Sequence, residues 1–116
     1  MKLLLTLLLF MVTDQPRQVL LFYNDDHSEE WKKQVAELNT DLAGIKERDI
    51  VVKYFKLSPQ NTAVWKKWNV NQTEDFTFIL IGRDGGEKYR SDEFVPNKEL
   101  FGKIDAMPMR RSEVKK

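Results

Sequence analysis

Residues 76–90, Phe-Thr-Phe-Ile-Leu-Ile-Gly-Arg-Asp-Gly-Gly-Glu-Lys-Tyr-Arg, constrain the fold of this chain more than any other stretch. Aromatic and aliphatic residues fill 76–81, the composition of a strand. Asp84, Gly85 and Gly86 supply residues that accept positive φ, as hairpin turns require. Residues 87–90 then return. A hairpin whose first strand is apolar throughout must be buried, so the rest of the chain has to pack on it and a last helix has to cover it. At 116 residues the chain is one domain.

Residues 19–23, Val-Leu-Leu-Phe-Tyr, form a second continuous apolar run, the pattern of a central strand. Asp26 is the expected N-cap of the helix that follows, with Glu29 completing a capping box. Trp31, Val35, Leu38, Leu42 and Ile45 then recur on one helical face, and Gly44 is the expected stop. Residues 50–55 read as another strand, and Lys53 at its middle places it at a sheet edge. A short helix is expected over 62–68, with Val64, Trp65 and Trp68 inward. Asn97 is the expected N-cap of a last helix built on Leu100, Phe101 and Ile104. That helix should end near Ala106, because Pro108 disfavours helix at Met107. The order β-α-β-α-β-β-α, with a right-handed crossover between the first two strands, predicts a thioredoxin-like α/β fold with a four-stranded mixed sheet of order 2-1-3-4.

Residues 1–16 read as a signal peptide and short N-terminal segment, 17–109 as the domain and 110–116 as a polar tail. Lys2 followed by an apolar run over 3–12 matches a secretory leader, and the run is too short to span a bilayer. The mature protein is thus expected to be exported, periplasmic or extracellular, with no stable membrane span.

Two segments resemble a known family. Residues 80–91, Leu-Ile-Gly-Arg-Asp-Gly-Gly-Glu-Lys-Tyr-Arg-Ser, carry the turn. Residues 100–113 contain the longer pattern Ile-Asp-Ala-Met-Pro-Met-Arg-Arg-Ser-Glu. Together they resemble the family of domains of unknown function numbered 4174. It is similar to thioredoxins and peroxiredoxins in fold and occurs in small, often exported bacterial proteins and in animal sushi-repeat and coiled-coil matrix proteins. The resemblance implies a fold and a compartment but no activity. It also marks a departure. Thioredoxins hold a reactive cysteine just after the first strand of this pattern and a cis-proline before the third. Here those places hold residues 24–31, without sulfur, and Glu74-Asp75. The sequence has no cysteine, which excludes disulfides, thiolate nucleophiles and cysteine metal sites.

The remaining candidates are ionisable. Asp26 and His27 sit in the densest group of acids, where a helix cap, a cation or an acid–base couple are the alternatives. Arg83, Lys88, Arg90, Arg110 and Arg111 would form an anion site if the tail folds back beside the hairpin; internal pairing of the arginines is the plainer reading. Met107, Pro108 and Met109 are an adaptable apolar contact or core filling, and Trp31, Trp65 and Trp68 are core residues or a stacking platform. Asp105 opposes the dipole of the last helix, so a cation should answer it; Asp105, Arg110 and Arg111 are expected to form one unit closing that helix on the hairpin side. Gly85, Gly86, Asp105 and the Met-Pro-Met stretch are thus the structural signature, and Asp26, His27, Arg83, Lys88, Arg110 and Arg111 the candidate binding residues. No cofactor and no metal are expected. The net charge of +1 gives no pull toward nucleic acid, leaving an anionic ligand or a protein partner. The expected function is a non-catalytic binding or scaffold module. The alternative is a cysteine-independent hydrolase using Asp26, His27 and the C-terminal arginines.

Overall fold

The computed structural model describes residues 15–108, 110 and 111. The apolar run expected to be a leader, and Met109, lie outside the described residues. The elements are β1 (Arg17–Tyr23), α1 (Glu29–Asn39), α2 (Leu42–Glu47), β2 (Ile50–Lys56), a 3-10 turn (Pro59–Asn61), α3 (Thr62–Lys67), β3 (Phe76–Ile81), β4 (Glu87–Ser91) and α4 (Asn97–Asp105). The sheet runs β2-β1-β3-β4, with β2 parallel to β1 and the hairpin antiparallel, as the pattern predicts. Lys53 lies on an edge strand, also as predicted.

Strand alternation divides the core. Val19 and Leu21 of β1, with Phe76, Phe78 and Leu80 of β3, face α1, α2 and α4, where Leu38, Ile45, Leu100 and Ile104 meet them. Leu20 and Phe22, with Ile79 and Ile81, face the other way onto Trp65 of α3 and Val70. Each fully buried aliphatic or aromatic side chain contributes about 1.5–3 kcal/mol. This two-faced burial explains why both central strands read as unbroken apolar runs.

Four local expectations need correction. The N-cap of α1 is Ser28, whose hydroxyl accepts from the Trp31 amide at 3.1 Å; Asp26 instead reaches Lys56. Ser28 lies three residues before Trp31, so it matches the helix start that Trp31 defines. Gly44 does not end the helix. Asp41 accepts from the Gly44 amide and restarts the chain as α2, whose C-cap is Arg48; Asp49, the next residue, takes the left-handed region (φ 53). Gly44 serves packing: a Cβ there would stand 2.8 Å from the Phe101 ring of α4. The break turns Leu42 outward, leaving it 62% exposed. Pro96, not Asn97, is the α4 N-cap. The Asn97 amide side chain instead donates to the Glu37 carbonyl at 2.7 Å, tying α4 to the end of α1. α4 does end at Ala106.

In the hairpin turn, the Gly85 amide donates to the Gly82 carbonyl and the Gly82 amide to the Gly86 carbonyl, with Gly85 at φ 82. This is a three-residue loop with a glycine bulge. Only Gly85 takes positive φ; Gly86 does not. Asp84 accepts from the Gly86 amide at 2.9 Å and from Lys88 at 2.8 Å.

A polar feature of α1 positions the connection into α4. Glu30, Gln34 and Glu37 recur at helical spacing and grip the backbone of Phe94, Val95 and Asn97. Glu30 accepts from the Phe94 amide at 2.6 Å and Glu37 from the Asn97 amide at 2.8 Å. Gln34, fully buried, donates to the Val95 carbonyl at 2.9 Å and accepts from its amide at 2.8 Å.

Candidate functional site

The candidate residues fall at two opposite ends of the sheet. Asp26 and His27 follow Tyr23, where β1 ends. Arg83 and Lys88 lie beside Arg17, where β1 begins, and Arg110 meets Glu47, just before β2, at that same end. The strand between them climbs about 3.3 Å per residue, so the two groups stand about 20 Å apart.

At the first end, the stretch that follows β1 is closed on itself. The Asn24 side chain donates to the Glu74 carbonyl at 3.0 Å, and its backbone amide to the Asp75 carbonyl at 3.3 Å. These bonds lash the stretch to the residues that precede β3, where the peptide bonds are all trans. Asp25 accepts from the His27 amide at 2.9 Å, and Ser28 caps α1. Asp26 pairs with Lys56 at 2.8 Å, which holds the ammonium in its charged form above its ordinary pKa. Trp31 stacks on Tyr23 (ring centroids 3.8 Å apart, planes 9° apart) and meets Tyr54 edge-on at 5.2 Å. Burial is the main influence pushing the Tyr23 hydroxyl up, with Asp26 adding to it. The local chemistry is thus a capped, aromatic-backed turn. Among the described residues no group of three or more acids and histidines can hold a metal ion.

At the second end, the chain after α4 does fold back beside the hairpin. Met107 and Pro108 share with Arg17, Gly82, Arg83, Asp84 and Lys88 a cavity of about 220 Å³. Arg83 donates to Asp49 at 2.9 Å and to the Gln15 carbonyl at 3.1 Å, and Lys88 answers Asp84. Arg17, buried, donates to the Arg48 carbonyl at 2.8 Å. Of the predicted cations, only Arg83 and Lys88 line this cavity. Arg90 turns elsewhere, to the Asn69 carbonyl and to Glu87, whose carboxyl it holds below the usual range.

Asp105 and Arg110 do form one unit, but on the α2 side and without Arg111. Arg110 is 5% exposed, although the sequence places it at the start of the polar tail. It donates to Asp105 at 3.2 Å and to the Glu47 carboxylate at 2.7 Å. The second cation on Asp105 is Arg48, in a two-pronged contact at 3.0 and 3.1 Å. Arg48, more than Arg110, holds the Asp105 carboxyl below its ordinary range. Arg48 also lies over the Phe101 ring at 4.1 Å. Arg111 is exposed. The sequence does not point to Arg48, because nothing local links residue 48 to residue 105; its position just after α2 is the one available signal.

This layout separates the members of the hydrolytic alternative. Asp26 and His27 cannot share a reacting atom with Arg110 when a whole strand lies between them. Asp26 is matched by Lys56, and Arg110 by Glu47 and Asp105.

The chain is similar in fold to solved thioredoxins and peroxiredoxins. Thioredoxin-2 of the malaria parasite superposes with a TM-score of 0.62 at 21% identity, covering 79% of this chain and 84% of that one. The reduced 2-Cys peroxiredoxin of Plasmodium vivax gives 0.66 at 17% identity, over 92% and 84% of the two chains. Mitochondrial thioredoxin 3 of Saccharomyces cerevisiae gives 0.60 at 20% identity, over 87% and 89%. At such identities the likeness shows the thioredoxin-like fold alone. No curated protein matches the chain. The model of the family described as "Domain of unknown function (DUF4174)" matches residues 9–113, nearly the full length, and the chain belongs to that family.

Proposed function

We propose that this domain is a non-catalytic binding or scaffold module that works outside the cytoplasm. The observation that carries the reading is the closed turn after β1. In this fold that place is where thioredoxins present a thiol; here its polar atoms are spent on Asn24–Glu74, Asp25–His27 and the Ser28 cap. The sequence holds no cysteine to replace what is missing. The fold is thus kept as a rigid support, and its surfaces carry the function. The charged and then apolar residues of the first twelve positions support export.

The test is purification of the full chain from the periplasm or medium of its native host, with mass spectrometry of its N-terminus and of whatever elutes with it. The expected result is an N-terminus between Val12 and Arg17 and a stoichiometric partner or ligand. An intact Met1 in soluble exported material overturns the leader. A domain recovered without companion at native abundance overturns the binding role.

A further inference from the structure

We propose that the outer edge of β2 takes up an extended acidic peptide as a fifth strand. The inference rests on the binding-module reading and names the class of partner.

The backbone comes first. The Arg17 amide donates to the Asp49 carbonyl, and the Leu57 amide to the Tyr23 carbonyl. In a parallel ladder these two bonds fix the phase: the odd-numbered residues of β2 turn their amides and carbonyls to β1, and the even-numbered ones turn theirs outward. β2 pairs with β1 alone among the described strands. Asn61 already occupies the Lys56 carbonyl at 2.8 Å. The amides and carbonyls of Val52 and Tyr54 have no hydrogen-bond partner among the described residues. They form a two-residue docking register of the kind that strand addition uses.

The side chains select the partner. On one face, Tyr54 is 46% exposed and braced edge-on by Trp31, an apolar contact for a peptide side chain on that face. On the other face, Lys53 stands at mid-strand. With Lys67, Phe55 and Trp68 it borders a cavity of about 260 Å³ over β1 and α3. Two ammonium groups there favour carboxylates on the alternate residues. The matching peptide therefore alternates apolar and acidic side chains. A second copy of the chain fits worse. Antiparallel self-pairing over the whole strand, with Val52 bonded to Tyr54 of the other copy, sets Lys53 directly against Lys53, and like charges opposite one another destabilise a sheet.

The experiment is a titration of the ¹⁵N-labelled full chain with a capped heptapeptide alternating valine and glutamate, and with its valine–lysine counterpart. The expected result is saturable shifts centred on the Val52 and Tyr54 amides, with the acidic peptide bound about tenfold more tightly and more weakly as salt rises. Lys53→Glu should reverse the preference. Val52→Pro removes one outward amide without touching the ladder to β1 and should abolish binding; unchanged amide dispersion in β3 verifies its fold. If that variant unfolds, two peptides, one N-methylated on its valines and one on its glutamates, make the same test on the native protein, the first blocking antiparallel and the second parallel addition. Equal binding of the two peptides, or shifts centred elsewhere, overturns the proposal. So do Val52 and Tyr54 amides already protected from exchange in the dilute monomer, or protected only on dimerisation. A native partner that shifts amides outside β2 overturns the edge but leaves the binding module standing. Failure to recover any native partner does the reverse if the peptide result holds.

Discussion

Removing Asp105 should loosen the last helix, and the cost can be worked from its contacts. Asp105→Ala deletes two hydrogen bonds to Arg48 and one to Arg110. A net bond to a charged group is worth about 1.5–3 kcal/mol when water cannot replace it. The Asp105 side chain is 44% exposed, so water replaces part of each bond and the value falls toward that of a surface pair. Arg48 keeps the Gly44 carbonyl and the Phe101 ring, and Arg110 keeps Glu47. Asp105→Ala should therefore cost about 1–2 kcal/mol. Arg110→Ala also removes a buried stem and a second carboxylate contact, for about 2–3 kcal/mol. Because the two share a bond, the double variant should cost about 0.5–1 kcal/mol less than the sum. Urea midpoints of the four proteins at constant slope measure the cycle. Additivity within about 0.3 kcal/mol refutes the coupling and returns Asp105 to the role of a solvated charge.

Other outcomes follow from the same contacts. Gly85→Val should destabilise by about 1–2 kcal/mol, because Gly85 alone in the turn takes positive φ, whereas Gly86→Ala should change the denaturation midpoint little. Gln34→Ala strands the Val95 amide and carbonyl in a buried place and should cost about 2–3 kcal/mol, read as lost exchange protection at Val95 as well as a lower midpoint. Asp105, Asp84 and Glu87 are held below their ordinary carboxyl range by Arg48, Lys88 and Arg90 respectively. Their folded pKa values are depressed, so their stabilisation is present above about pH 4 and is lost as pH falls through the folded values. Acid titration of the urea midpoint should show that loss, and Asp105→Asn should remove the share that Asp105 contributes while leaving those of Asp84 and Glu87.

What the sequence reveals here is the part governed by periodicity. The two buried strands, the edge position of Lys53 and the order of the sheet follow from apolar runs and one basic residue. What escapes it is the set of contacts that join distant residues. Glu30, Gln34 and Glu37 form a polar stripe beside the apolar one on α1, and a stripe of that composition ordinarily faces water. Only the return of residues 94–97 makes it a clamp. Gly44 reads as a helix stop because glycine tolerates left-handed backbone; its actual role is to admit the Phe101 ring, which no local pattern shows. The site candidates divide the same way. Arg83 and Lys88 meet Met107 and Pro108 at one cavity, whereas Arg90, Arg110 and Arg111, which the fold-back reading adds to them, do not line it. Asp26 and Arg110 are separated because a parallel strand pair puts the loops before and after it at opposite ends.

If this thioredoxin-like domain binds and does not catalyse, it should turn over no substrate. The full chain and its Asp26→Asn/His27→Gln variant would be assayed side by side on ester, phosphoester and amide substrates. The native chain should show no turnover beyond that of the variant. Turnover by the native chain that vanishes in the folded variant would contradict it.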